Sequence, residues 1–204
     1  MFQEFRDSVA YLDIETTGLD YYAHHITTIA IYDGKTIRHY VRGHNLNDFA
    51  NDITNYKLLI TYNGKCFDVP FIENAFGITL NQAHIDLRYV LRSLGYSGGL
   101  KGCERQLGID RDDLDGIDGY FAVVLWCEYE QYKNHQALDT LLAYNIQDVL
   151  NLETLMTIAY NTNLKYTPFY NELILSDPNQ PRNPFSADKK TVKRLMRKYS
   201  WLTY

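Results

Sequence analysis

The spacing of hydrophobic and polar residues changes partway along the chain. "SVAYLDIET" (8–16), "ITTIAIYD" (26–33) and "KTIRHYVR" (35–42) are rich in β-branched and aromatic residues, and the turn residues Asp33 and Gly34 separate the last two. They predict three antiparallel strands in succession. A polar helical stretch, "LNDFANDI", leads to the apolar run "LLITYN", expected as a fourth strand; after Gly64 a helix is expected over about 69–76, and "AHIDL" supplies a fifth strand. The pattern then becomes helical, in "GLKGCERQLGI", in "YFAVVLWCEYEQY" and in a long segment over about 136–159. Strands early and helices late, with helices interleaved around the last two strands, predict an α/β protein with a mixed five-stranded sheet and helices on both faces. "DPNQPRNP" (177–184) breaks the pattern ahead of a short basic helix.

Composition adds bounds to this picture. A chain of 204 residues suffices for one well-formed core, and most of its 18 tyrosines are expected inside it. The N-terminus carries no positively charged leader, and no segment approaches the roughly 18 apolar residues of a membrane span, so a cytoplasmic protein that meets no membrane is expected. Cys66, Cys103 and Cys127 are widely spaced and odd in number, which argues against a disulfide framework or a zinc site; reduced, half-buried thiols are expected. A net charge of −5 speaks against a nucleic-acid partner, because phosphate contacts need Lys and Arg. The charge is uneven, however: Arg182, Lys189, Lys190, Lys193, Arg194, Arg197 and Lys198 face only Asp188 in the final stretch. That stretch is either a solvated tail or an arm that tracks phosphates. The acidic remainder can still accept a phosphate if a divalent metal reverses the local charge.

Several carboxylates stand where a core would not place them. Alternation along "VAYLDIET" puts Asp13 and Glu15 on the face of Val9 and Tyr11, with Ala10, Leu12 and Ile14 opposite. Two like charges side by side are costly unless a cation lies between them, and a divalent metal with oxygen ligands is the natural one; a strand end emerging into solvent is the plain alternative. Asp68 in "NGKCFDVPFI" suits a helix N-cap, with Pro70 in the first turn, and from the end of the fourth strand it could also point toward the first. In "LLAYNIQDVLNLETL", Asp148 falls on the stripe of Leu141, Leu152 and Leu155, and Tyr144 lies one turn before it on the same side. A carboxylate there needs a partner, be it the tyrosine hydroxyl or a cation.

Taken together, an Asp-x-Glu ending the first strand, an Asp opening a helix after the fourth, and a Tyr-x-x-x-Asp on a late helix resemble the three motifs of the DEDD 3′–5′ exonucleases, of ribonuclease H-like fold, in their tyrosine (DEDDy) subtype. "HIDLRYVLRSLGYSGGLKGCERQLGI" and "GYFAVVLWCEY" are similar to the YprB-like branch of predicted nucleases, and the likeness covers about 9–159. The resemblance implies a nuclease domain over 1–176, followed by a linker and basic helix over 177–204. It also implies two Mg²⁺ or Mn²⁺ ions, with Asp13 bridging both, Glu15 and Asp148 completing one, and Asp68 acting on the second through water. Tyr144 would orient the attacking water. The backbone of Thr16, Thr17 and Gly18 would approach the terminal sugar and Leu19 would wedge against the last base. Asn63, in the second motif, and Lys101, in "GLKG", are the further candidates for substrate contact. The implied substrate is the 3′ end of single-stranded DNA or RNA, and the implied products are 5′ mononucleotides. A helicase or another nucleic-acid-processing partner as supplier of substrate stays open. So do two alternatives: a catalytically silent nucleic-acid-binding subunit, disfavoured by the intact carboxylate set, and a structure-specific endonuclease, disfavoured by Thr-Gly-Leu.

Other features carry less. His24 and His25 are expected in solvent or at a substrate rim, and His84 with Asp86 as ordinary packing. "DRDDLDG" lacks the ligand spacing of a calcium loop and is expected to be a polar loop before the next helix.

Overall fold

A computed structural model describes residues 2–199 apart from 112, 113 and 115, so three aspartates of the "DRDDLDG" stretch lie outside the described residues. The strands are β1 (Val9–Thr16), β2 (Ile26–Tyr32), β3 (Ile37–Val41), β4 (Leu58–Thr61) and β5 (Ala83–Asp86). They form one sheet in the order β3-β2-β1-β4-β5, antiparallel from β3 to β1 and parallel from β1 to β5. The helices are α1 (Phe2–Phe5), α2 (Phe49–Asp52), α3 (Asp68–Phe76), α4 (Leu87–Ser93), α5 (Gly99–Gln106), α6 (Gly119–Tyr132), α7 (His135–Leu164), α8 (Tyr170–Leu173) and α9 (Lys189–Tyr199).

The period-two alternation of β1 divides the core. Val9 and Tyr11 pack with Leu87 and Leu91 of α4 and Ile146, Val149 and Leu150 of α7. Ala10, Leu12 and Ile14 pack on the other face with Phe49, Ile53, Phe71 and Ile72. A third cluster joins α6 to α7 through Leu125, Trp126, Leu141 and Leu142 and receives Leu195 of α9. Apolar surface buried on both faces makes β1 the central strand and gives it a rigid frame.

Three features depart from expectation. Helix α4 follows β5 directly, with the Asp86 side chain accepting the Arg88 amide as its N-cap; its Leu87 and Leu91, one turn apart, are both fully buried. Helix α9 is docked and not a free tail: Leu195 is fully buried, Arg194 pairs with Glu128 at 2.6 Å, and the preceding segment is tied down by Asn183 donating to the Ala143 carbonyl and Gln180 to that of Leu150. Of the cysteines, Cys103 is buried whereas Cys66 and Cys127 are exposed. Among the described residues no helix is long and apolar enough to cross a membrane.

Candidate active site

Because β1 and β4 are parallel, their carboxyl ends open at the same edge of the sheet, where α7 packs on β1. Crevices of this kind are where open α/β sheets place ligands. At Glu15–Thr16 the pairing of β1 with β2 slips by a bulge, which bends the strand end. Beyond it, Thr16 Oγ1 donates to the Gly18 carbonyl (2.7 Å), the Thr17 amide donates to the His25 carbonyl (3.0 Å), and the His25 amide donates to Thr17 Oγ1 (3.1 Å). A Cβ at Gly18 would stand 2.6 Å from the His24 imidazole, so glycine lets the ring lie against the loop.

From α7, Tyr144 and Asp148 face the end of β1. One oxygen from each of Asp13, Glu15 and Asp148 lies within 4.8 Å of the other two. Divalent ions take oxygen ligands at roughly 2.0–2.6 Å, so this spacing and donor set fit an ion held among the three. Asp68 arrives from α3, but not as the expected cap: Phe67 holds the N-cap position without a side-chain bond. The Asp68 carboxylate accepts the Ile14 amide instead (3.2 Å), because the β1 end has left that donor unpaired in the sheet and within reach. The four carboxylates, Tyr144, the Thr16 to Leu19 loop and Asn63 all line one cavity of about 610 Å³. Leu19, 84% exposed, and Tyr120, 48% exposed, also belong to its lining and offer apolar surface to a base.

The charges are concentrated. Burial, and then repulsion from Asp148 and Asp68, push Asp13 and Glu15 well above the usual carboxylate range. Burial raises Asp68 to about 7 against the opposing pull of backbone hydrogen bonds. Burial raises Asp148 too, with Arg111 working against the shift. Folded Asp68 thus holds its proton more tightly than unfolded Asp68, so its contribution is fully present below about pH 4 and is lost as pH rises to about 7. Urea unfolding with chelator should show the stability of wild type relative to Asp68→Asn falling by up to about 4 kcal/mol across that window. Mg²⁺ or Mn²⁺ should reduce the fall. A flat difference with chelator would show that Asp68 is not perturbed.

Residues outside the expected set complete the frame. The buried Arg111 guanidinium stands 2.5 Å from Asp148 Oδ1 and donates from Nε and Nη2 to both oxygens of Glu104, and Asn151 donates to Glu104 Oε1 (2.8 Å). Asn145 donates to Asp13 Oδ2 (2.7 Å) and accepts from Thr28 Oγ1 (3.0 Å). Asn145 and Asn151 were detectable as amides within an apolar helix; Arg111, in a loop after α5, was not. Lys101 is not among the residues lining the cavity, yet neither is it in solvent. The residue is half-buried, its ammonium is buried 4.7 Å from the centre of the Tyr144 ring with no hydrogen-bond partner among the described residues, and burial lowers its pKa while Asp148 opposes. His84 bonds Thr61 Oγ1 (2.9 Å), and Asp86 accepts the amides of Asn63, Lys65 and Arg88, both in structural roles.

Residues 10–160 match the RNase_H superfamily, to which the chain therefore belongs, and the sheet order and flanking helices are those of an RNase H-like α/β fold. Among solved structures it is similar to the family B DNA polymerase from the hyperthermophilic archaeon Pyrobaculum calidifontis, with 16% identity and a TM-score of 0.55 over 82% of this chain; it spans only 27% of that polymerase. It is also similar to Brucella melitensis NrnC bound to pGG, with 18% identity and a TM-score of 0.55 over 84% of this chain and 80% of that one. NrnC with bound Mg²⁺ gives 20% identity and a TM-score of 0.53 over 80% and 77%. At these identities the likeness is one of fold. No curated protein matches the sequence.

Proposed function

We propose that the protein is a metal-dependent 3′–5′ exonuclease of the DEDDy subtype, allied to the YprB-like nucleases, that removes 5′ mononucleotides from the 3′ end of single-stranded DNA or RNA. The observation that carries this is the meeting of Asp13, Glu15 and Asp148 within 4.8 Å, in one cavity with Asp68 and Tyr144. The similarity to NrnC structures holding Mg²⁺ and pGG supports it.

Divalent ions bound by these carboxylates would supply the positive charge that activates a water and stabilises the leaving 3′ oxygen. Asp13, Glu15 and Asp148 provide oxygens to one locus, and Asp68, anchored on the Ile14 amide, provides one set apart from them. Burial, then the charge of Asp148 and Glu15, push Tyr144 above the ordinary phenol value, so at neutral pH it keeps its proton and orients the water by hydrogen bonding. Tyr144→Phe should therefore lower kcat by about a hundredfold with little change in KM, and the loss should not be recovered at higher pH. A wild-type kcat that rises with pH while that of Tyr144→Phe stays flat, so that the deficit widens, would mean that the phenolate acts as a base. The loop from Thr16 to Leu19 closes one side of the cavity and selects an end over an internal bond.

The test is a time course on 5′-labelled single-stranded DNA and RNA with Mg²⁺, Mn²⁺ or chelator. A metal-dependent ladder shortening from the 3′ end is expected. Internal cuts, or binding without cleavage under either metal, would refute the proposal.

A further inference from the structure

A second cavity, of about 710 Å³, adjoins the first and shares Tyr62 and Asn63 with it. Arg88 and Arg92, one turn apart on α4, line it together with Tyr96 and the Ser97-Gly98-Gly99 loop, and none of the described residues lining it is acidic. In a protein of net charge −5, beside a cavity lined by four carboxylates, this is a local reversal of sign.

The wall between the cavities is built. Asn63 adopts a left-handed conformation (φ 67°), and the Asp86 carboxylate accepts its amide at 2.8 Å and that of Arg88 at 3.0 Å. Arg88 Nη1 donates to Asn63 Oδ1, which links the arginine pair to the rim of the catalytic cavity. Asp86 is thereby engaged by backbone amides on the wall. Across the cavity, Gly98 and Gly99 have φ of 96° and 75° and lead into α5, whose N-cap has no side-chain bond. The loop is held close: a Cβ on Gly102 would stand 2.8 Å from the Ser97 carbonyl, which also accepts the Gln106 side chain. Two guanidinium groups facing a tight glycine loop form an oxyanion setting, and two tyrosine rings beside them offer faces to bases.

We infer that this arginine-lined cavity is a second subsite of the nucleic-acid strand, which holds a phosphate on the 5′ side of the scissile one. The inference rests on the exonuclease proposal for its direction along the strand, but not for the binding itself. It also accounts for how an acidic enzyme holds a polyanion: grip comes from Arg88 and Arg92, away from the carboxylates. The bound group is a phosphate diester within a strand or the terminal 5′ phosphate of a short one.

The test compares wild type with Arg92→Ala and Arg92→Glu, at an exposed position where the fold is retained. Anisotropy of single-stranded oligonucleotides labelled at the 5′ end, far from the 3′ terminus, is followed with chelator as salt is raised. Arg92→Ala should weaken binding roughly tenfold and flatten the salt dependence by about 0.7 in slope, since one phosphate fewer is neutralised, with a greater effect for Arg92→Glu. Competition by unlabelled NpN, pNpN and NpNpN then identifies the source. Wild type should prefer the last two over NpN, and Arg92→Ala should lose the preference. Preference for pNpN alone assigns a terminal phosphate, and preference for both assigns any phosphate at that position. Unchanged affinity and slope in both variants, or no preference in wild type, would overturn the subsite even if the protein cuts from the 3′ end. Arg92-dependent binding by a protein that cuts nothing would keep the subsite and refute the nuclease.

Discussion

Asp13→Asn is expected to abolish nuclease activity while making the metal-free protein more stable. The aspartate sits among Glu15, Asp148 and Asp68, and burial followed by their repulsion pushes its carboxyl well above the usual range. Removing one like charge relieves that repulsion, and an asparagine of the same shape can still accept from Asn145. With chelator near pH 8 the gain should show as a rise of a few degrees in Tm for a chain of this size. The same change withdraws an anionic ligand from the locus shared with Glu15 and Asp148. Activity should fall by at least about 10²–10³-fold, the loss typical when one electrostatic stabiliser of a transition state is removed. A variant that is less stable with chelator, or that keeps its activity, would contradict the reading of the cluster as a set of charges waiting for a cation.

The largest loss of stability is expected from Arg111→Met. Arg111 satisfies two buried carboxylates, Glu104 through two hydrogen bonds and Asp148 through a contact at Oδ1. Burial alone would favour loss of its proton, but Asp148 and Glu104 outweigh this and raise its pKa, so it is a permanent cation. Methionine fills the volume and leaves Glu104 buried without its counter-charge. Breaking one side of such a pair costs about 3–5 kcal/mol, which corresponds to a Tm lower by about 10 °C. Adding Glu104→Gln should recover a good part, because glutamine carries no charge and its carbonyl can still accept from Asn151. A loss below about 1 kcal/mol, or no recovery in the double variant, would show that Arg111 is not the counter-charge of this cluster.

The parts of the site legible in the sequence were those fixed by local period. Alternation along β1 placed Asp13 and Glu15 opposite Leu12 and Ile14, and the 3.6-residue period of α7 placed Tyr144 and Asp148 on its inward stripe; both placements hold. What escaped depends on contacts distant in sequence. Asp68 carries every local mark of an N-cap, yet its partner is Ile14, 54 residues earlier, so the chain's return past β1 decides its role. Arg111 reads as one more charge in a polar loop, and only the packing of α5 against α7 shows that Glu104, Asn151 and Asp148 surround it. Helix α4 was visible in principle, through Asp86 as a cap and Leu87 and Leu91 one turn apart, but the short run beside β5 hid it. The basic charge of α9 concealed Leu195 and Thr191, the narrow stripe that docks it.

The most direct measurement is anomalous scattering from crystals of the protein grown with Mn²⁺, collected for wild type and Asp13→Asn. Strong peaks beside the carboxylates of Asp13, Glu15 and Asp148, absent or much reduced in the variant, are the predicted result. Crystals in excess Mn²⁺ with nothing bound at those three carboxylates, or with manganese only elsewhere on the molecule, would contradict the account.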